Sequence, residues 1–158
     1  MKDRLVLSPI EAAYIAGIFD GEGYVGIWES GKWSKRNFSP RFVITLTITN
    51  TSARMLNWIH DRVGGNIRIS HLAGQYKATK TCYKLAMYGG RAVELLRVMF
   101  PYLLVKKEQA EIVFKLKEIT LARDPRVCGI SRTRLTEAEL EERRELTRQI
   151  KEAKRTIQ

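Results

Sequence analysis

The first predicted element is a helix that is apolar on nearly every face. Ser8 suits the N-cap, Pro9 suits the first helical position, and Glu11 completes a capping box. Apolar and small residues then continue until glycines predict an end near Asp20. A helix at a protein surface normally shows one apolar stripe, so we expect the helix over residues 9–20 to be buried on several sides.

Alternation of apolar and polar residues predicts two pairs of strands. It is clearest over 41–50, where Ile44, Leu46 and Ile48 share one face and threonines occupy the other. Turn-forming residues, glycine among them, mark the loops between the strands of each pair. The four predicted strands cover residues 24–29, 41–50, 66–72 and 79–88.

Helical spacing lies between the two strand pairs and follows the second. The predicted helices cover residues 51–63, 91–100 and 106–122, and a last, highly charged helix begins at Thr136. The order α-β-β-α-β-β-α-α-α indicates an α+β fold. We expect one domain over residues 1–158, with a core at about 8–122 and a basic loop and surface helix over 123–158.

The charge balance points to a polyanionic partner. The 158 residues include 28 Lys and Arg against 17 Asp and Glu, a net charge of +11, which makes nucleic acid the first candidate. An anionic membrane surface ranks lower, because no basic amphipathic helix adjoins an apolar anchor. No apolar run approaches the roughly 18 residues of a membrane span or resembles a signal peptide, so we expect an intracellular protein.

Scarce cysteine and histidine narrow the chemistry further. Two cysteines, Cys82 and Cys128, cannot form a disulfide framework or a four-thiolate zinc site. Two histidines, His60 and His71, argue against a histidine-rich metal site and against a nuclease with a histidine base.

The segment over residues 15–23, IAGIFDGEG, breaks local rules. Asp20 and Glu22 stand at the C-terminal end of an apolar helix, where the macrodipole makes each acid unfavourable by about 0.3–1 kcal/mol. Ala13 and Gly17 lie on one side of the helix and allow another backbone to approach closely. Two unfavourable acids at a tightly packed helix end indicate a cation site. The alternative is a capped helix with solvent-exposed acids.

This segment resembles the LAGLIDADG motif, with Ile15 for the first Leu and Gly21-Glu22 where the name has Ala-Asp, a variant that the family accepts. The αββαββα order over residues 8–122 is also similar to that family and covers about three-quarters of the chain. The resemblance implies the LAGLIDADG homing-endonuclease fold. In that fold two motif helices pack side by side, their acidic ends face DNA, and antiparallel β saddles straddle the major groove.

The motif occurs once, and the resemblance therefore implies a homodimer formed through the helix over residues 9–20. Two-fold symmetry implies a nearly palindromic double-stranded DNA target of roughly 20 bp. The implied activity is metal-dependent hydrolysis of both strands at this site, leaving short 3′ overhangs. Such an enzyme acts in intron homing on genomic or organellar DNA.

The resemblance also assigns the acids of the motif. The eighth motif position is the metal-binding acid, which makes Glu22 the first catalytic candidate, with the backbone carbonyl of Gly21 beside it. Asp20 holds the sixth position, which is structural in the family. Carboxylates with water and phosphate oxygens suit Mg²⁺, and Mn²⁺ or Ca²⁺ could bind in its place.

Three further catalytic candidates match the family at single positions. Asn50, at the end of the second strand, matches a polar residue that positions water or metal; the alternative is a helix N-cap. Arg54 matches a basic residue near the scissile phosphate. Lys106 matches the active-site lysine, and it also stands at a helix start, where a cation is unfavourable. The alternative for Lys106 is a solvated charge.

Strand alternation separates a core face from a face for DNA. Ile67 and Ile69 are expected on the core face with Leu85 and Met87. Residues on the other face can read base edges and phosphates, although alternation alone fits a half-solvated sheet equally well. The expected outward residues are Tyr24, Trp28, Ser30, Arg41, Val43, Thr45, Thr47, Asn66, Arg68, Ser70 and Lys84. Expected phosphate contacts from the loops are Lys32, Lys35, Arg36, Arg132 and Arg134.

Two other functions compete with DNA cleavage. The first is a maturase for intron RNA, or a DNA-binding protein that kept the fold and lost cleavage. The joint presence of Glu22, Asn50 and Lys106 argues against lost catalysis. The second is an unrelated basic RNA-binding protein, which would not need an acidic end on a buried helix.

Overall fold

The described residues form four antiparallel strands and five α-helices. The computed structural model describes residues 5–30, 40–75, 79–122 and 135–155. A 3-10 turn at Phe100–Tyr102 precedes the fourth helix. The elements are α1 Pro9–Glu22, β1 Gly23–Ser30, β2 Arg41–Asn50, α2 Ala53–Val63, β3 Asn66–His71, β4 Cys82–Tyr88, α3 Gly89–Met99, α4 Lys107–Ala122 and α5 Glu137–Arg155. The predicted α+β class and element order are confirmed.

The strands form one sheet in the order β1-β2-β4-β3, with every neighbouring pair antiparallel. The alternation of β2 is confirmed, because Ile44, Leu46 and Ile48 are all buried beneath the sheet. Their layer meets Ile15 and Phe19 of α1, which have no exposed surface. Burial of each such side chain stabilises the fold by about 1.5–3 kcal/mol.

The start of helix α1 agrees with the prediction, but its end does not. Its start is confirmed: Ser8 is the N-cap, and its side chain and that of Glu11 form the predicted capping box. Its end lies two residues beyond Asp20, because the helix continues through Gly21 and Glu22 and is capped by Gly23. A β-carbon at Gly23 would lie 2.1 Å from Cδ2 of Phe19, so only glycine lets the chain turn into β1 there.

The last helix is more than a surface element, and in this respect the sequence-based expectation is wrong. The Thr136–Glu139 capping box forms as predicted. However, Leu146, Ile150 and Ala153 of α5 belong to the same buried cluster as α1 and the sheet. The many charges of α5 concealed this apolar stripe, which faces α4 and β1.

The core face of β3 also differs from prediction. Ile67 is half-buried, whereas Ile69 is 54% exposed. Strand β3 is an edge strand, and its pairing with β4 shifts between Ile69 and His71. The helices therefore do not cover Ile69. Among the helices described, none is both long and apolar enough to cross a membrane.

Candidate active site and DNA-facing surface

Asp20 and Lys106 are brought together at the C-terminal end of α1. The two carboxylate oxygens of Asp20 accept hydrogen bonds from the backbone N–H groups of Leu104, at 2.8 Å, and Lys106, at 3.0 Å. In return, the ammonium group of Lys106 donates to the backbone carbonyl of Asp20. The segment that carries Lys106 is therefore clamped to the last turn of α1, next to Glu22.

The environment of Lys106 is strained electrostatically. Its carbonyl accepts the N–H of Ala110 at 3.1 Å, so Lys106 stands at the start of α4, where the helix dipole repels a cation. Burial lowers the pKa of Lys106, while the negative charges of Asp20 and Glu22 act in the opposite direction. The lysine is thus held in an unfavourable place by the two motif acids, and a bound phosphate would be a further stabilising partner.

Glu22 is the acid that remains open to a ligand. Its side chain is exposed and accepts no hydrogen bond from any described residue, whereas both oxygens of Asp20 are occupied. Over the described ranges, no three His, Cys, Asp or Glu side chains come together as a complete metal site. One exposed carboxylate beside the main-chain oxygens of the last helical turn, Gly21 included, fits a hard cation that keeps several waters.

Asn50 shapes the turn between β2 and α2. Its side-chain oxygen accepts the N–H of Ser52 at 2.8 Å. The N-cap of α2 is Ser52, whose hydroxyl accepts the N–H of Met55 at 3.3 Å, so the alternative of Asn50 as N-cap is wrong. Asn50 lies in the β2 position just beyond the pairing of Gly23 with Ile48, close to the point where α1 passes into β1.

Arg54 lies at the start of α2, a helix that contacts α1. Arg62 donates to Glu11 at 2.7 Å, and the rings of Trp58 and Tyr14 meet edge to face at 5.3 Å. Later residues of α2 thus contact earlier residues of α1, so the two helices run antiparallel and the start of α2 lies beside the C-terminal half of α1. The exposed Arg54 side chain lines a groove of about 460 Å³ whose α1 residues are Ile10, Glu11 and Tyr14. Among the described residues, no hydrogen bond or ion pair joins Arg54 to the acidic end of α1.

The outer face of the sheet is basic and aromatic. Trp28 and Tyr24 are 48% and 49% exposed on β1. Arg68 and Lys84 stand directly opposite each other on β3 and β4, and neither forms an ion pair with a described acid. Opposed like charges destabilise a sheet, which favours an anionic ligand on this face.

The other predicted DNA contacts differ in access. The prediction of Thr47 as an accessible DNA contact is wrong. Thr47 lies on the outer face but is only 7% exposed, because Tyr24 and Ala86 flank it on the neighbouring strands. Exposed positions are Arg41 and Asn66, and partly buried ones are Val43, Thr45 and Ser70. The side chain of Ser30 and the residues Lys32, Lys35, Arg36, Arg132 and Arg134 lie outside the described part of the structure.

Two residues of the outer face were missed by the sequence analysis. Tyr88 is 44% exposed and continues the alternation that placed Lys84 outward, so the pattern contained it. Lys154 of α5 places its ammonium nitrogen 3.7 Å from the ring centroid of Tyr24. No local signal could have found Lys154, because it depends on where α5 packs.

An apolar stripe of α1 stays uncovered. Ile10 is 83% and Tyr14 is 53% exposed, and the small residues Ala13 and Gly17 are exposed as well. A β-carbon at Gly17 would meet no atom within 4 Å. The expectation that α1 is buried on several sides therefore holds only for the face that carries Ile15 and Phe19.

Comparison with known proteins identifies the fold. No protein-family model matches the chain, and no curated protein matches it. Solved structures do. The homing endonuclease I-CvuI, bound to its target in the presence of 2 mM Ca, is 20% identical over 91% of this chain and 82% of that chain, with a TM-score of 0.65.

Two further structures agree. The archaeal intron-encoded homing endonuclease I-Vdi141I, complexed with DNA, is 18% identical over 91% of this chain and 84% of its own, with a TM-score of 0.67. I-SmaMI, bound to uncleaved DNA in the presence of calcium ions, is 18% identical over 93% of this chain but 46% of its own, with a TM-score of 0.63. The chain therefore has the fold of the LAGLIDADG homing endonucleases.

Proposed function

We propose that this protein is a site-specific homing endonuclease that hydrolyses both strands of a long, nearly palindromic DNA target. The observation that carries the proposal is the meeting of an exposed Glu22 with a clamped Lys106 at one end of α1. This end adjoins a basic, aromatic sheet face, in a fold shared with DNA-bound homing endonucleases. Intron homing with short 3′ overhangs belongs to the same proposal.

The active form is a homodimer joined through α1. The uncovered stripe of Ile10, Ala13, Tyr14 and Gly17 has the small residues that permit close helix contact. The chain matches most of I-CvuI but less than half of I-SmaMI, which supports one structural unit where a longer protein has room for two. Pairing of two protomers would bring two Glu22 carboxylates and two Lys106 side chains to one axis and create a DNA surface of roughly 20 bp.

The chain's own residues divide the chemistry of phosphodiester hydrolysis. Glu22, with the Gly21 carbonyl, would hold Mg²⁺ or a similar divalent ion, which when bound supplies an activated water and neutralises phosphoryl charge. Lys106 donates to a phosphate oxygen and stabilises the charge that develops there. Arg54, at the start of α2, contacts the phosphate backbone, and Asn50 orients water beside it. Asp20 positions Lys106 by accepting hydrogen bonds from two backbone N–H groups.

Substitution of Glu22 tests this assignment. Glu22→Gln keeps the size of the side chain but removes the charge that recruits a cation, so cleavage should be abolished. DNA affinity in metal-free buffer should be equal or tighter, because repulsion of phosphate falls. The measurement is the cleavage rate and DNA affinity of one purified variant, on a plasmid carrying the joined sequences that flank the gene's intron.

A matched control is Glu118→Gln, which removes an exposed carboxylate on α4 some way along the helix from Lys106. It should cut at the wild-type rate. Near-normal cutting by Glu22→Gln would contradict the catalytic role of Glu22. A wild-type protein that binds the plasmid without cutting it would contradict the endonuclease and support a non-cleaving DNA-binding protein, and preferential binding of intron RNA would support a maturase.

A further inference from the structure

Helix α5 runs along the edge strand β1 and ends at the active-site side of the sheet. Arg144 donates two hydrogen bonds to Glu29, at 3.2 and 3.0 Å, and Lys154 lies over the ring of Tyr24. Ten helical residues rise about 15 Å and five strand residues rise about 16.5 Å, so the spacing of the two contacts along α5 equals their spacing along β1. The helix and strand are therefore antiparallel, and the end of α5 lies beside the start of β1, next to Glu22.

The ammonium group of Lys154 lies on the outer side of the sheet. Tyr24 belongs to the outward set of β1, and its ring crosses over Gly26: a β-carbon at Gly26 would lie 2.5 Å from the Tyr24 hydroxyl oxygen. Because Lys154 contacts this ring, its charge is at the face that carries Arg68 and Lys84, although α5 itself packs beside the strand edge and α4.

The charges of α5 are balanced along most of the helix but not at this end. Arg144 is paired with Glu29, and Arg148 is paired with two glutamates of its own helix at 2.7 and 2.6 Å. The last three cations of the described helix form no ion pair with a described acid: Lys151, Lys154 and Arg155. The helix dipole favours cations at a C-terminus by about 0.3–1 kcal/mol. It does not explain why the Lys154 side chain extends from α5 to an aromatic ring of the sheet.

We propose that Lys154 is a backbone-phosphate contact for duplex DNA, held toward the active-site end of the sheet by Tyr24. The proposal rests on the proposed function, because it takes DNA to lie on the outer face. A ring-held ammonium loses little side-chain entropy when it meets a phosphate. Because Tyr24 follows Glu22 by two residues, that phosphate would lie toward the active-site end of the sheet. The contact carries no base information, so it strengthens binding to every sequence equally.

The test is the salt dependence of binding to a labelled random-sequence duplex, followed by fluorescence anisotropy over a series of KCl concentrations. Lys154→Met keeps an apolar stem on Tyr24 but removes the charge. The slope of log K against log salt should become shallower by about 0.9 for each protomer bound. Lys154→Arg keeps the charge and should keep the slope. The matched control is Lys115→Met on α4, whose lysine lines a cleft with Glu108, Glu111 and Glu152 and should leave the slope unchanged.

The outcomes separate this inference from the proposed function. Wild-type binding with an unchanged slope in Lys154→Met overturns the phosphate contact alone. An equal decrease of the slope in Lys154→Arg and Lys154→Met also overturns the phosphate contact, because packing rather than charge would then matter. A change of slope with duplex RNA but not with duplex DNA overturns it as well. A wild-type protein that binds no duplex DNA refutes the proposed function and this inference together.

Discussion

Substitution of Gly17 should change the stability of the protomer and the stability of the dimer in opposite directions. It stands within α1 on the uncovered stripe, and a β-carbon added there would meet no atom within 4 Å. Gly17→Leu therefore fits in the isolated protomer. Because glycine is unfavourable in a helix interior, the substitution should raise the free energy of unfolding of the protomer by up to about 1 kcal/mol.

The dimer should respond in the opposite direction. If the two α1 helices pack along the stripe of Ala13 and Gly17, two leucines enter the closest approach of the helices. Overpacking costs about 1–3 kcal/mol per site, so the pair should weaken association by about 2–6 kcal/mol. That corresponds to a dissociation constant roughly 30-fold to 10⁴-fold higher, and DNA cleavage should fall with the dimer population.

Sedimentation equilibrium measures the dissociation constant, and thermal unfolding at a concentration where the variant is monomeric measures protomer stability. The matched control is Gly90→Leu: Gly90 is also an exposed helical glycine with no atom within 4 Å of its β-carbon, but it lies on α3. Gly90→Leu should dimerise as the wild type does. A Gly17→Leu protein with the wild-type dissociation constant would refute α1 as the interface, as would a wild type that stays monomeric on DNA.

Two further predictions concern recognition and acid stability. Arg68→Ala should shift base preference at one symmetric pair of target positions by about 1–3 kcal/mol per lost bidentate contact, measured by binding to single-base target variants; an unchanged preference profile would contradict the outward role of Arg68. The Ser8 backbone N–H, then Arg62 and the Ser8 hydroxyl, lower the pKa of Glu11 from 4.5 to about 2, so this carboxylate contributes stability above pH 4.5 that is lost as pH falls toward 2. Glu11→Gln should flatten acid unfolding in that window, and an acid-unfolding curve as steep as that of Glu118→Gln would show that Glu11 is not responsible.

Local patterns in the sequence determined the elements and their faces. The capping residues Ser8 and Thr136 marked two helix starts that the structure has, and the alternation around Leu46 identified the core face of β2. These features depend on neighbours within one or two turns or on every second residue, so they can be read without knowledge of the fold. The motif over residues 15–23 was informative for the same reason, because acids at the end of an apolar helix are unfavourable unless something binds them.

The joining of distant segments was decided only by the tertiary structure. Asp20 clamps the backbone before α4, and Lys154 reaches Tyr24 across the edge of the sheet. Thr47 follows the predicted alternation and is nevertheless buried, because its neighbours on other strands cover it. Periodicity states which side of an element is apolar, but it does not state which element will pack there or how far along. Contacts between residues far apart in the chain depend on that packing, and the hydrogen bonds that hold Lys106 beside Glu22 exist only after α1 has met the segment before α4.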